Sequence, residues 1–143
     1  MNVDYESLRI TKLREYLFTV VNEINRNVQQ INADMLSNDI DNYSLDKIPT
    51  STTVERWING KKKCRDLYSF RSRNKYSQEV INNLENIGFY EMFEKIIENN
   101  NREKKLPEIS GIESIECLNC GTLKSSTTNT AEFDIQIQIV YIV

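Results

Sequence analysis

Histidine is absent from this 143-residue chain. That removes the commonest general base, the Ser-His and Cys-His nucleophile pairs and the commonest zinc ligand. Cysteine is scarce and odd in number, at three, which does not make the paired framework of a small secreted scaffold. Four glycines are too few for a Gly-rich phosphate loop. No apolar run approaches the roughly 20 residues that a membrane span needs. The opening Met1-Asn2-Val3-Asp4-Tyr5-Glu6 is acidic and polar, unlike a signal peptide. These absences predict a cytoplasmic protein, or one belonging to an assembly built in the cytoplasm.

What is present suits a single domain over residues 1–143. Apolar residues make up 39% and charged residues 27% of the chain, and mean hydropathy is -0.53. A chain this long buries about 68–70% of its unfolded surface and needs no disulfide or metal to fold. The net charge of -3 argues against a wholesale nucleic-acid coat. The 17 asparagines and 17 isoleucines match the usage of an AT-rich genome, so they bear on the source and not on function.

Hydrophobic spacing gives the elements. Leu13, Leu17, Val20 and Ile24 recur at steps of three and four, predicting a helix over 5–25. Residues 28–36 read as a strand and 37–44 as a polar loop. Residues 52–58 are rich in β-branched and aromatic side chains, Asn59-Gly60 is a type I′ turn signal, and 62–73 follows as a long strand. In that strand Cys64, Tyr68 and Phe70 share one face. Lys61, Lys63, Arg65, Arg71 and Arg73 fall on the other. Ser77 opens a helical region over which Val80, Leu84 and Ile87, then Tyr90, Phe93, Ile96 and Ile97, form stripes. Gly88 between them predicts two consecutive helices or one kinked helix. The asparagines at 99–101 end it. Leu106 to Ser110 is a loop, 113–123 a strand, 124–129 a loop, and 130–143 the strongest strand. There Phe133, Ile135, Ile137, Ile139 and Tyr141 alternate with polar residues until Val140 and Ile142, which predicts an end covered on both faces. Strands and helices do not alternate as βαβ units. The predicted fold is α+β, a mostly antiparallel sheet with helices packed on it.

Candidate chemistry is sparse. Cys117-Leu118-Asn119-Cys120-Gly121 looks like half of a zinc knuckle, but only Cys64 remains as a further thiolate, and there is no histidine to complete four ligands. In an extended segment the two cysteines would also face opposite ways. No bound zinc, no cofactor and no catalysis are expected. The one local charge anomaly is Lys61, Lys62, Lys63, Arg65, Arg71, Arg73 and Lys75, which with Asp66 give +6 over residues 61–75. This basic hairpin arm, around 52–75, is either a docking surface for nucleic acid or an acidic protein, or an exposed edge kept soluble by lysine.

Several stretches together resemble a known family. They are 13–17 (LREYL), 43–49 (YSLDKIP), 65–73 (RDLYSFRSR), 83–90 (NLENIGFY) followed by Phe93, and Leu106-Pro107. The series continues with 115–118 (IECL) before Gly121, and with 131–136 (AEFDIQ) before Tyr141. In this order, over nearly the whole chain, they resemble the minor capsid or tail-terminator-like proteins of phages, prophages and phage-tail-like particles of low-GC Gram-positive bacteria. The resemblance implies a structural virion protein with a tail-terminator-like α+β fold. It implies a ring, usually of six copies, that caps the head-proximal end of the tail tube and joins it to the neck or connector. The implied partners are the chain itself, the tube protein, neck proteins and a sheath protein, with DNA only as a passing genome and no membrane. The implied location is the virion tail or neck. Another neck or head-completion protein, or a nucleic-acid-binding module using the 61–75 arm, are the alternatives. The chain departs from the family pattern in an Asn-rich 22–42 segment and in having cysteine at 117 and 120 where Ala- or Ser-like residues are expected.

Overall fold

The computed structural model describes residues 8–24, 32–33, 42–75, 80–126 and 130–143. Two helices and seven strands follow one another. They are α1 (Arg9–Ile24), β1 (Asn32–Ala33), β2 (Asn42–Ile48), β3 (Thr53–Arg56), β4 (Lys62–Lys75), α2 (Val80–Arg102), β5 (Ile112–Cys117), β6 (Thr122–Ser126) and β7 (Thr130–Ile142). The expected α+β arrangement is present. Neither helix is long and apolar enough to cross a membrane among the described residues.

The two longest strands, β4 and β7, form the antiparallel centre of one sheet. The other edge of β4 is shared by β3, opposite Lys62 to Cys64, and β2, opposite Leu67 to Arg73. The other edge of β7 is shared by β5 and β6. The C-terminal strand is therefore central. β1 adds a short parallel pairing to β2.

Strand alternation builds one apolar face. From β4 it takes Cys64, Tyr68 and Phe70, and from β7 Ala131, Phe133, Ile135, Ile137, Ile139 and Tyr141, all buried. Leu13, Leu17, Val20 and Val21 of α1 and Tyr90, Phe93 and Ile97 of α2 close over that face. Aromatic rings bridge the layers: Phe70 stacks on Tyr43 at 5.7 Å and on Phe93 at 5.0 Å between centroids. The opposite sheet face is polar, carrying Ser69, Arg71, Asp134, Gln136 and Gln138.

Several expectations are corrected. Asn42 to Ser44 belong to β2, not to a loop; only Tyr43 and Leu45 are apolar on its inward face, too short an alternation to announce a strand. The 28–36 strand survives only as Asn32–Ala33, the rest lying outside the described residues, as do 37–41, Ser77 and 127–129. Instead of a type I′ turn, the hairpin closes with a three-residue loop. Trp57 N donates to Lys61 O, Gly60 N donates to Trp57 O, and only Gly60 takes a positive φ, of 89°. Gly88 lies inside one uninterrupted helix. That helix ends in a Schellman motif: Lys104 sits at φ 61°, Lys105 N donates to Asn100 O, and Lys104 N donates to Asn101 O. The 113–123 strand is two strands in line, β5 and β6, broken at 118–121, and 124–126 continue β6 instead of forming a loop. At the break Leu118 N donates to Gln136 O and Asn119 Oδ1 accepts from Gln136 N, so the chain bulges without leaving β7. Gly121 lies against the Tyr90 ring, where an added Cβ would approach to 2.3 Å. Val140 and Ile142 are half-buried on the polar face, away from α1 and α2, so among the described residues that end is fully covered on one face only; the other cover expected for it, another subunit, lies outside a single chain.

Candidate functional site

The basic arm does not present one continuous positive face. Arg71 pairs with Asp46 and lies 3.5 Å from Glu132, which also meets Arg73 at 3.9 Å. Lys63 lies 3.7 Å from Glu113 on β5. Arg65 Nε donates to the Ser51 carbonyl at 3.4 Å. The strand register brings these acids alongside: Arg71 is opposite Ser44 and Asp134, with Asp46 and Glu132 two residues along the flanking strands, on the same face. Four of the seven arm cations thus lie along the sheet, and a fifth, Lys75, has a side chain outside the described set. Lys61 precedes β4 at the hairpin loop and Lys62 opens the strand, so these two stand at the tip.

The tip has a second property that charge counting missed. Ile58 is 109% exposed relative to a reference chain, and Trp57 and Val54 are also exposed. Trp57 Nε1 donates to Glu55 Oε1 at 3.1 Å, which fixes the indole beside the loop. The end of the chain lies alongside: Lys62 and Val143 exchange both backbone hydrogen bonds, and Val143 is exposed. The tip is thus an exposed apolar loop flanked by Arg56, Lys61 and Lys62, with Glu55 beside Trp57. The sequence signal was available in Trp57-Ile58 directly before Asn59-Gly60, since turn residues that are large and apolar have no core to enter.

Asp66, entered above only as one negative charge in the arm, is fully buried at 0% exposure. Period two puts it on the apolar face between Cys64 and Tyr68, so its burial was legible too. Arg9 Nε donates to its Oδ2 at 2.7 Å, and Tyr68 Oη donates to the same oxygen at 3.1 Å. Tyr141 Oη donates to Oδ1 at 3.0 Å, and Lys47 Nζ stands 3.9 Å away. Arg9 also lies over the Tyr141 ring, 4.6 Å from its centroid. Burial works against the Asp66 charge; the Arg9 hydrogen bond and charge, then Lys47 and Tyr141, outweigh it and hold the carboxyl below its ordinary range. Burial, with the Asp66 charge beside it, pushes the Tyr141 hydroxyl up to about 12. The cluster fastens α1 to β2, β4 and β7. Its carboxylate accepts three hydrogen bonds, from Arg9, Tyr68 and Tyr141, with the Lys47 charge nearby.

Cys117 ends β5 half-buried and Cys120 is exposed in the 118–121 bulge, so the extended geometry expected for the pair is not found. Among the described residues no three His, Cys, Asp or Glu side chains gather as a metal site requires. Burial, followed by Glu94 and Glu116, pushes the Cys117 thiol up to about 12. Brief iodoacetamide treatment at neutral pH should therefore add one label, at Cys120, with Cys64 and Cys117 reacting only after unfolding. Intact mass showing two rapid adducts on the folded chain would contradict this.

Neither a scan against protein-family models nor a search of curated proteins finds a match to the chain.

Proposed function

We propose that this chain is a structural assembly subunit, and specifically a ring subunit that ends the tail tube of a phage or phage-tail-like particle and joins it to the neck. The observation that carries the assembly role is the β3–β4 hairpin tip, where the fully exposed Ile58 stands between Arg56 and Lys61. The resemblance along the chain supplies the kind of assembly. Action is steric and stoichiometric. One face of a closed ring matches the end of the tube, and the other withholds the surface on which another tube ring would grow. The nucleic-acid alternative is weakened by the carboxylates already beside Lys63, Arg71 and Arg73.

Native mass spectrometry of the purified chain, alone and with the tube protein, tests the reading. The expected result is a closed ring, of six copies by the resemblance, present alone or formed on the tube. A chain that stays monomeric in both samples, or that instead binds short duplex DNA with a steep salt dependence, would contradict it.

A further inference from the structure

Across the sheet from the hairpin, α2 and β5 enclose a cavity of about 450 Å³. Behind it stand the buried Ile97 and Ile115, the half-buried Cys117 opens into it, and its rim carries Glu94 and Glu98; Glu116 borders it from β5 with its side chain on the polar face, opposite Gln138. Rim and tip are opposite in charge, and each surrounds a less polar centre, Cys117 in one and Ile58 in the other. Glu98 has Arg102 at 3.3 Å, an exposed i,i+4 pair of small worth. Glu116 accepts from the neutral Gln138 amide at 2.8 Å. Glu94 is pushed up by burial and by Glu91, which is the condition of a carboxylate short of a cation.

We propose that the tip of one copy of this chain seats Ile58 in the α2–β5 socket of the next copy, with Lys61 and Lys62 against Glu94 and Glu98. The inference rests on the ring reading for taking the partner to be a second copy. A hairpin cannot fill the socket of its own chain. β4 and β7 lie between β3 and β5, and Cys117 is level with Ile137 and Tyr68, six residues along β4 from Lys62. Six residues of strand are roughly 20 Å. Tip and socket are different surfaces, so the contact is heterologous. Repeated, it closes a ring or runs on as a filament. An exposed aliphatic entering a pocket, with charges at the rim, is also the usual division between affinity and register.

Sedimentation velocity of the wild type, of Ile58→Asp, of Lys61→Glu/Lys62→Glu and of Glu94→Lys/Glu98→Lys tests this, with circular dichroism to establish that each variant is folded. The tip variant Ile58→Asp should weaken self-association at least about thirtyfold and sediment as the 16.8 kDa monomer. The two charge variants should also be monomeric. Mixed, the Ile58→Asp and Glu94→Lys/Glu98→Lys chains hold one good tip and one good socket, so they should form dimers and nothing larger. Should the Glu94 change disturb folding, Glu98→Lys alone serves in its place. Combining Lys61→Glu/Lys62→Glu with Glu94→Lys/Glu98→Lys in one chain should restore oligomers. If Ile58→Asp assembles as the wild type does, this contact is wrong and the ring forms through another face. If the wild type itself stays monomeric, with and without the tube protein, both the contact and the ring reading fall. A mixture that yields no dimer overturns the tip-and-socket pairing.

Discussion

Replacing Asp66 with alanine is expected to destabilise the fold by about 3–5 kcal/mol. Arg9 and Lys47 reach solvent and can be hydrated again, but Tyr68 and Tyr141 would each keep a buried hydroxyl without its acceptor, at about 1–3 kcal/mol apiece. The removed carboxylate also leaves a void behind the α1 N-terminus. Urea unfolding followed by circular dichroism measures the loss, and a change below about 1 kcal/mol would show that the cluster is not what fastens α1. The pH dependence has a definite sign. Because the folded carboxyl lies below its ordinary range, its ionic contribution is present above the unfolded pKa, about 3.9, and is lost as pH falls through the folded value. The gap between wild type and Asp66→Ala should therefore narrow in acid. Tyr141 acts in the opposite direction. Raised to about 12, it contributes fully below about 10 and loses that contribution as pH rises through the folded value. In Asp66→Ala the tyrosinate absorbance should appear at lower pH, since the neighbouring negative charge is gone.

The second large effect concerns β7. Ile137 is buried opposite Tyr68 and Cys117, whereas Gln136 lies on the polar face opposite Ser69. Ile137→Asp puts an unpaired carboxylate into the core at a cost of several kcal/mol on the order of the whole stability of a domain. It should yield insoluble or unfolded protein. Gln136→Val removes no buried contact and suits a strand, so it should stay within about 0.5 kcal/mol of wild type. Similar urea midpoints for the two variants would mean that the face assignment of β7 is wrong.

How far the sequence carries can be judged from particular residues. The alternation of Phe133, Ile135, Ile137 and Ile139 announces β7 and its buried face, because a strand covered on one side writes its orientation in every second residue. The 3.6 period of Leu13, Leu17 and Val20 does the same for α1. Strand β2 was illegible: Tyr43 and Leu45 are its only apolar inward residues, and Lys47 takes an inward position to approach Asp66. The split of β5 from β6 depends on Asn119 and on the Tyr90 ring against Gly121, contacts between distant segments that no local window contains. Asn100 and Asn101 signal a helix end, yet they also tie it down, Asn100 to the Tyr16 hydroxyl and Asn101 to Ile115 N. Of the candidate site, the basic residues were legible and their partners were not. Asp46, Glu113 and Glu132 reach the arm only through the sheet register. Charge spacing alone could not separate the cations that hold the sheet from those at the tip.

The central claim is that the chain ends a tail tube through a ring docked by its hairpin. Tail lengths in electron micrographs of particles made with the wild-type chain, without the chain, and with Ile58→Asp test it most directly. The account predicts uniform, head-joined tails with the wild type, and tubes of irregular length or without heads in the other two samples. Uniform tails joined to heads when the chain is missing altogether would contradict it.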